Sequence, residues 1–194
     1  MDQAGVTPYE SKMAIEYEKK YRLTESDYER LERRLDELAA KFEGEATEEN
    51  TIFELTKLTG NAGVLRVRTV GAKTLLTLKR RIPSESSIKQ QIEFETVVGD
   101  RTAIRGIIRE LGLKPDVVYE KRRKTWSLED CDVVLDTLPF GLFMEIEGPP
   151  SSIAKVESML QACDLPVEPR TYPNLTAEFG TRSGGAVEAR FGNT

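Results

Sequence analysis

The chain has 194 residues, of which 39% are hydrophobic and 31% are charged, and its formal net charge at pH 7 is −5. This length and apolar content are enough for one domain with a sizeable core. Because the chain has no histidine, it cannot contain a Ser-His-Asp triad, a Cys-His pair or a histidine-ligated zinc or iron. Any metal site must use oxygen ligands, which favours magnesium, manganese or calcium.

The composition also bears on the partners and the compartment of the protein. The basic residues do not outnumber the acidic ones, so the excess positive charge typical of nucleic-acid-binding domains is missing. The sequence contains no signal peptide and no run of 18 or more apolar residues. Cys131 and Cys163 lack CxxC spacing, as expected for reduced thiols or at most one bridge. We therefore expect a cytoplasmic protein without a nucleic-acid or membrane partner, and a homodimer is left open.

Residues 13–22 alternate with a period of two and predict a strand after a flexible leader at residues 1–12. Glu16, Glu18 and Lys20 share one face of this strand, spaced about 6–7 Å apart, while Ile15 and Tyr17 lie on the other face. Two neighbouring carboxylates at this spacing could share a metal ion, and the lysine could meet an anion beside it.

A helix and a second strand follow. Thr24 and the acidic residues after it predict a helix N-terminus. Leu31, Leu35, Leu38 and Phe42 then recur at spacings of three and four, which predicts one helix that ends at Gly44. A plausible second strand occupies residues 50–57.

Nearly every later strand repeats the charged alternation of the first. A hairpin around residues 70–73 and a strand at residues 91–95 follow, separated by a loop at residues 83–87. Strands at residues 117–128, 132–138 and 142–147 continue the pattern. Their charged alternate positions are Arg66, Arg68, Lys79, Arg81, Glu93, Glu95, Lys121, Arg123, Asp136, Glu145 and Glu147. Helices start at Asp100 and near residues 149–152, and the Gly-rich residues 181–194 predict a disordered tail.

Short strands joined by tight turns, with helices between them, predict an α+β fold with a largely antiparallel sheet. Two arrangements of the charged face are possible in principle. An open, flat sheet would leave this face solvated, whereas a closed sheet would make it the lining of a charged tunnel. For any single Glu-x-Glu or Arg-x-Arg pair, the solvated face is the simpler interpretation. The repetition of both signs on so many strands favours a tunnel that binds a polyphosphate together with a divalent cation.

These motifs resemble the CYTH superfamily, the triphosphate tunnel metalloenzymes, which includes class IV adenylate cyclases, thiamine triphosphatases and inorganic triphosphatases. The resemblance covers residues 13 to about 175 and predicts a single domain at residues 13–180. It rests on the ordered set of charged pairs, not on any one of them. It implies a closed eight-stranded antiparallel β-barrel, open at both ends, with helices packed outside. It also implies Mg²⁺ or Mn²⁺ as the cofactor and a small-molecule triphosphate as the substrate.

The resemblance further implies a role for each charged residue. The expected triphosphate-binding residues are Lys20, Arg66, Arg68, Lys79, Arg81, Lys121 and Arg123. The expected metal ligands are Glu16, Glu18, Asp136, Glu145 and Glu147. Glu16, Glu18 and Lys20 would be catalytic, with Glu93 and Glu95 orienting the basic residues or touching the metal shell.

Within the superfamily, the sequence looks most like the bacterial class IV adenylate cyclase branch at residues 119–123, 143–148 and 170–172. That likeness implies conversion of ATP to cyclic AMP and pyrophosphate. Ile52 and Phe53, however, stand where this branch has a His-Phe pair, and the paired Arg66 and Arg68 suit a triphosphatase equally well. Hydrolysis of tripolyphosphate, thiamine triphosphate or a nucleoside triphosphate is therefore the alternative, and a polyphosphate-binding module without turnover is the third hypothesis.

Overall fold

Eight strands form a closed antiparallel barrel. The computed structural model describes residues 14–55, 63–82 and 88–192. The barrel strands are β1 (Ala14–Leu23), β2 (Lys41–Glu54), β3 (Val64–Val70), β4 (Lys73–Ile82), β5 (Lys89–Val98), β6 (Pro115–Leu128), β7 (Cys131–Leu138) and β8 (Gly141–Glu147). They are ordered β2-β3-β4-β5-β1-β8-β7-β6, and pairing between β2 and β6 closes the sheet. The predicted α+β fold with a closed eight-stranded barrel is confirmed, so the charged strand faces line an interior.

Four helices accompany the barrel in the described residues. They are α1 (Glu25–Glu37), α2 (Arg101–Glu110), α3 (Pro150–Met159) and α4 (Tyr172–Phe179). The main core lies outside the barrel wall, where Leu31 and Leu35 of α1 and Ile153 of α3 pack with Met144 and Ile146 of β8. None of the described helices is long and apolar enough to cross a membrane. The apolar faces of the strands thus point outward to the helices, which leaves the charged faces inside.

The first helix ends earlier than its apolar spacing predicts. It stops at Glu37, and Ala39 adopts a positive φ of 51°, which breaks the helical path. Phe42 belongs instead to β2, where its ring centroid lies 5.1 Å from that of Trp126. Phe42 continues the helical spacing of Leu38, so the sequence alone could not show that Phe42 belongs to a strand. β2 starts at Lys41, well before the predicted residue 50.

Helix α4 packs across one end of the barrel. Leu175 and Tyr172 of this helix form a buried apolar cluster with Ile52, Tyr119 and Phe143, which lie on barrel strands. Leu175 and Phe143 have no exposed surface. The resemblance implies a tunnel open at both ends, whereas here the chain itself occupies one of them.

The segment after α4 is ordered, although its composition predicts disorder. It forms β9 (Thr181–Ser183) and β10 (Ala186–Ala189), and β10 pairs in parallel with β6. The pairing of β7 with β6 begins only at Arg122, so β10 satisfies backbone groups earlier in β6 that would otherwise lack a neighbour on that side. The predicted leader at residues 1–12 and the loop at residues 83–87 lie outside the described residues.

We expect Leu175→Ala to lower the free energy of unfolding by about 2–5 kcal/mol, because it removes a fully buried side chain from the apolar cluster beneath α4. Leu111→Ala is the matched control, since Leu111 follows α2 and is 53% exposed. Urea titration of both variants followed by circular dichroism would measure the difference. Equal, small effects would contradict the packing of α4 into the barrel end.

Candidate active site

Three carboxylates from β1 and β8 meet inside the barrel. Glu18 lies opposite Glu147 in the strand register, and Glu145 is two positions away on β8. One carboxylate oxygen from each of the three residues lies within 4.8 Å of the other two. Glu18 and Glu145 are buried, and Glu147 is partly buried. We call Glu18, Glu145 and Glu147 the carboxylate trio.

Basic side chains neutralise the carboxylate trio. Nζ of Lys89 lies 3.0 Å from Glu18, and Nζ of Lys20 lies 3.1 Å from Glu145. Arg123 contacts both Glu145 and Glu147. Burial would raise the pKa of Glu145, but the charges of Lys20 and Arg123 outweigh it and hold that pKa well below its usual value. Glu145 is therefore ionised, and the protein's own cations surround the trio.

Arg66 and Arg68 lie side by side on β3 and share one carboxylate. Nη2 of Arg68 donates to Glu95 at 2.9 Å, and Nη2 of Arg66 donates to the same oxygen at 3.4 Å. Glu48 accepts a further, longer bond from Arg68 at 3.5 Å. The Nε atoms of both arginines are buried and have no hydrogen-bond partner among the described residues. Both arginines also line the cavity, and guanidinium groups are well suited to binding oxyanions.

Lys79 links two acidic residues on neighbouring strands. Its Nζ lies 2.9 Å from Glu16 and also contacts Glu93, while Gln91 donates to Glu16 at 2.6 Å. Burial, followed by the hydrogen bond with Glu16, raises the pKa of Glu93 to about 7. Burial acts in the same direction on Glu16, but the hydrogen bond from Glu93 and the charge of Lys79 lower its pKa to about 2. Between these two pKa values the carboxyl pair therefore carries one proton, held mainly by Glu93.

Asp136, predicted as a metal ligand, lies outside the carboxylate trio. It has no exposed surface and accepts hydrogen bonds from Nε and Nη2 of Arg123 at 2.7 and 2.6 Å. The hydroxyl of Tyr172 donates to it at 2.8 Å, and Lys121 lies 3.4 Å away. With its oxygens already engaged, Asp136 orients the basic residues in this structure and is not placed to ligate a cation together with the trio.

Most of the predicted site residues line one cavity, which has a volume of about 990 Å³. Among its lining residues are Glu16, Glu18, Lys20, Arg66, Arg68, Lys79, Glu93, Glu95, Lys121, Arg123, Glu145 and Glu147. Asp136 lies behind this lining. Arg81 lies opposite Gln91 in the pairing of β4 with β5, but its side chain is outside the described part of the structure.

Three residues of the site were not predicted from the sequence. Glu48 is buried and bridges Arg68 and Lys121 at 3.5 Å each, although it lies in a segment that was expected between a helix and a strand. Lys89 continues the alternation of β5 by one step towards its start, so the signal was present in the sequence. Tyr172 comes from α4 and carries no strand periodicity, so nothing local could have revealed its contact with Asp136.

The carboxylate trio fits a hard divalent cation that prefers oxygen ligands. The carboxylate trio offers three carboxylate oxygens at close range, and the chain has no histidine to add a nitrogen ligand. Carboxylates together with water and phosphate oxygens are the ligand set that magnesium and manganese prefer. Glu16 lies two positions before Glu18 on the same strand face and is held by Lys79, so it borders the trio without joining it.

The raised pKa values predict how stability depends on pH. Burial is the largest cause that raises the pKa of Glu93 and of Glu147 to about 7, against an ordinary value of 4.5. Between these values the folded protein binds more protons than the unfolded chain, so the free energy of unfolding should fall as pH rises from 4.5 to about 7. Saturating Mg²⁺ should weaken this fall, because cation binding favours the ionised carboxylates.

Thermal melts from pH 4 to pH 8, with and without Mg²⁺, would measure this trend. A Glu93→Gln, Glu147→Gln double variant is the control, because it cannot release these two protons and should lose the decline. A melting temperature of the wild type that rises steadily through this range would contradict the raised pKa values of these carboxyl groups.

The comparisons with known proteins agree with this geometry. The sequence matches the CYTH domain family over residues 14–172. The PH1012 protein of Pyrococcus horikoshii OT3 has a similar structure, with a TM-score of 0.72 and 28% identity over 82% of this chain and 98% of that one. A search of curated protein sequences gives no significant match.

Two more distant structures share the fold. One is a protein from Vibrio parahaemolyticus that is provisionally named an adenylate cyclase, with a TM-score of 0.66 and 18% identity over 86% of this chain and 99% of that one. The other is HpAC1 from Hippeastrum, described as having a dominant triphosphatase activity, with a TM-score of 0.59 and 19% identity over 84% of this chain and 93% of that one. The match to the family over most of the sequence and the closed charged barrel together show that this chain belongs to the CYTH domain family.

Proposed function

We propose that this protein is a divalent-metal-dependent enzyme that binds the triphosphate of a small molecule inside the barrel and breaks one of its P–O bonds. The observation that carries the proposal is that Arg66 and Arg68 line the same cavity as the carboxylate trio. Guanidinium groups suit phosphate oxygens, and carboxylates without histidine suit the cation that accompanies a polyphosphate. An exposed strand face would require neither feature.

Each basic residue has a part in binding. Arg66 and Arg68 lie about 6–7 Å apart along β3, so they span neighbouring phosphates of one chain. Lys79 lies opposite Glu93 on the adjoining strand and adds a third positive charge. Lys121 and Arg123 face them from β6, where Asp136 fixes the guanidinium plane of Arg123. The triphosphate is thus held from two sides of the barrel.

The first reaction to consider is cyclisation of ATP, which the resemblance to class IV cyclases implies. The 3′-oxygen forms a bond to the α-phosphorus, the bond from that phosphorus to pyrophosphate breaks, and the hydroxyl proton leaves to solvent. A cation held by the carboxylate trio would lower the pKa of the attacking hydroxyl and neutralise developing charge on the phosphates. Lys20, held beside Glu145, would add positive charge near the reacting phosphate.

Hydrolysis of a terminal phosphate is the second candidate, and one observation favours it. The apolar residues that point into the barrel, Ile52, Tyr119 and Phe143, are buried against α4. Phe143 has no exposed surface, and Ile52 and Tyr119, although they border the cavity, are only 4% and 3% exposed, so they offer little face on which a purine base could stack. The remaining lining is mainly charged, and it would grip a triphosphate chain whatever group the chain carries.

Product analysis would decide between these reactions. Purified protein with Mg²⁺ would be incubated separately with ATP, tripolyphosphate and thiamine triphosphate, and the products followed by ³¹P NMR. Cyclic AMP with pyrophosphate would identify a cyclase, and inorganic phosphate would identify a triphosphatase. The absence of any product from all three substrates would overturn the proposal and leave a polyphosphate-binding module.

Glu18→Gln should lower the turnover number by at least about a hundredfold, because removing one charge-stabilising group from a dry site typically costs this much. The fold should survive, since glutamine keeps the size of the side chain. Glu29→Gln, on the exposed face of α1, is the matched control. Near-normal turnover of Glu18→Gln at saturating Mg²⁺ would remove Glu18 from the metal site.

Arg66→Ala and Arg68→Ala should weaken binding of a triphosphate more than binding of a monophosphate. A monophosphate engages only one of the two guanidinium groups well, whereas a triphosphate spans both. Calorimetric titration with AMP, ATP and tripolyphosphate would measure the difference, with Arg109→Ala as the control because Arg109 is highly exposed on α2. Equal losses for all three ligands, fading with added salt, would place these arginines outside the site.

A further inference from the structure

Lys89 is a buried ammonium at the edge of the carboxylate trio, and the roles considered so far leave it unexplained. It is 8% exposed and lies opposite Glu18 at the start of β5, with its Nζ 3.0 Å from Glu18. It also belongs to the lining of the cavity that contains the arginines of β3. An ammonium group at this position would compete with a divalent cation for the carboxylate oxygens of Glu18.

We propose that Lys89 is an internal counterion of the carboxylate trio, and that it makes metal binding conditional on a bound triphosphate. This inference rests on the proposed function, because it assumes that the trio holds a divalent cation and that the cavity holds a polyphosphate. Lys89 is therefore a positioning residue, which acts through Glu18 and not on the reacting atoms.

The contacts of Lys89 show why it can exchange partners. Among the described residues, Glu18 is its only ion-pair partner within 4.0 Å. Lys20, by contrast, is held by Glu145 and by the carbonyl oxygen of Arg170 at 3.2 Å, and its Nζ lies 3.9 Å from the ring centroid of Tyr172. Lys20 would keep two of these contacts if Glu145 turned to a cation. Lys89 would lose its ion pair if Glu18 turned to a cation.

A divalent cation alone therefore meets an unfavourable exchange. Taking Glu18 from Lys89 would leave a buried ammonium without a counter-charge, close to Lys20 and to the arriving cation, and an unpaired buried charge is costly. A triphosphate brings several negative charges into the same cavity and gives the displaced ammonium a new partner. Cation and triphosphate then bind more tightly together than separately, which is positive coupling in the thermodynamic sense.

The same arrangement disfavours binding of a triphosphate without a cation. Without a cation, the trio and the phosphates would repel each other across a short distance inside a closed barrel. With the cation in place, the carboxylates and the phosphates share it, and Lys89 neutralises the remaining phosphate charge. The lysine thus links the acidic and the basic halves of the site.

The test is Mn²⁺ binding to wild type and to Lys89→Met, measured by electron paramagnetic resonance of free Mn²⁺ with and without a non-hydrolysable imido analogue of tripolyphosphate. Mn²⁺ bound by the free analogue is subtracted. Without the analogue, we expect Lys89→Met to bind Mn²⁺ about tenfold or more tightly than wild type, because coupling between sites is typically 5–150-fold and the lysine supplies it. The tightening that the analogue causes should shrink by the same factor.

Lys19→Met is the matched control. Lys19 precedes Lys20 on β1, is largely buried and is paired with Glu157 at 2.6 Å, so its loss also removes one positive charge and one ion pair. Its side chain is on the outer face of the strand, and we expect its Mn²⁺ affinity and coupling to match those of wild type. If Lys89→Met fails to fold, Lys89→Gln retains hydrogen-bonding capacity without the charge and serves in its place.

The outcomes separate the two proposals. Wild type that binds neither Mn²⁺ nor the analogue, alone or together, would overturn the proposed function and this inference with it. Wild type that binds both, with Lys89 variants whose Mn²⁺ affinity is unchanged or weaker, would overturn the role of Lys89 alone. If the analogue does not change the Mn²⁺ affinity of wild type, the proposed role of Lys89 is also overturned, and no variant is needed to show it.

Discussion

Charge balance inside a closed barrel is the constraint on which the rest of this structure depends. When the sheet closes through the pairing of β2 with β6, the charged faces of its strands are enclosed. A buried carboxylate or ammonium is tolerated only with a partner, so each charge on one strand requires an opposite charge on another. Glu48 on β2 meets this need by bridging Arg68 of β3 and Lys121 of β6 across the closing pair of strands. The enclosed charges therefore pair across neighbouring strands and at the same time line the cavity of the barrel.

Two parts of this network differ in how firmly they are fixed. Around Asp136, two bonds from Arg123 and one from Tyr172 satisfy the carboxylate from different directions, and α4 covers them. Within the carboxylate trio, Arg123 and Lys20 share Glu145, whereas Glu18 is held by a single contact from Lys89. A ligand can replace a single contact at lower cost than a bidentate, hydrogen-bonded one. The fixed part therefore orients Arg123, while the exchangeable part is where, under the proposed function, a cation and a phosphate chain would enter the network.

Much of this arrangement could be predicted from the alternation of charges, because a period of two assigns each residue to a face whatever the sheet does. Glu16, Glu18, Arg66 and Arg68 were placed correctly for that reason. Contacts that come from outside the strands could not be predicted in this way. Tyr172 belongs to a helix that follows β8 by many residues, and its role depends on where that helix docks.

The ordered C-terminal segment was missed for a related reason. Its glycines favour disorder in isolation, but Ala186 and Ala189 are buried because β6 has backbone groups for β10 to pair with. Local composition reports only the conformational freedom of the segment, and the free energy gained by pairing with a distant strand outweighed it. The end of α1 shows the converse, since Phe42 satisfied the helical spacing and yet belongs to a strand that packs it against Trp126.

The lining charges explain why one barrel suits several reactions on triphosphates. Cyclisation and hydrolysis develop charge on the same phosphate oxygens, so the same arginines, lysines and carboxylates stabilise both. The choice between them depends on which oxygen reaches the phosphorus, and that depends on the walls beyond the charged section. At one end, α4 has filled the barrel with apolar side chains, which leaves no room for a base beside Phe143. Under the proposed function, the organic group of the substrate would meet the protein towards the opposite mouth, near Glu147 and Pro149, where the cavity wall is formed by the turns after β6 and β8.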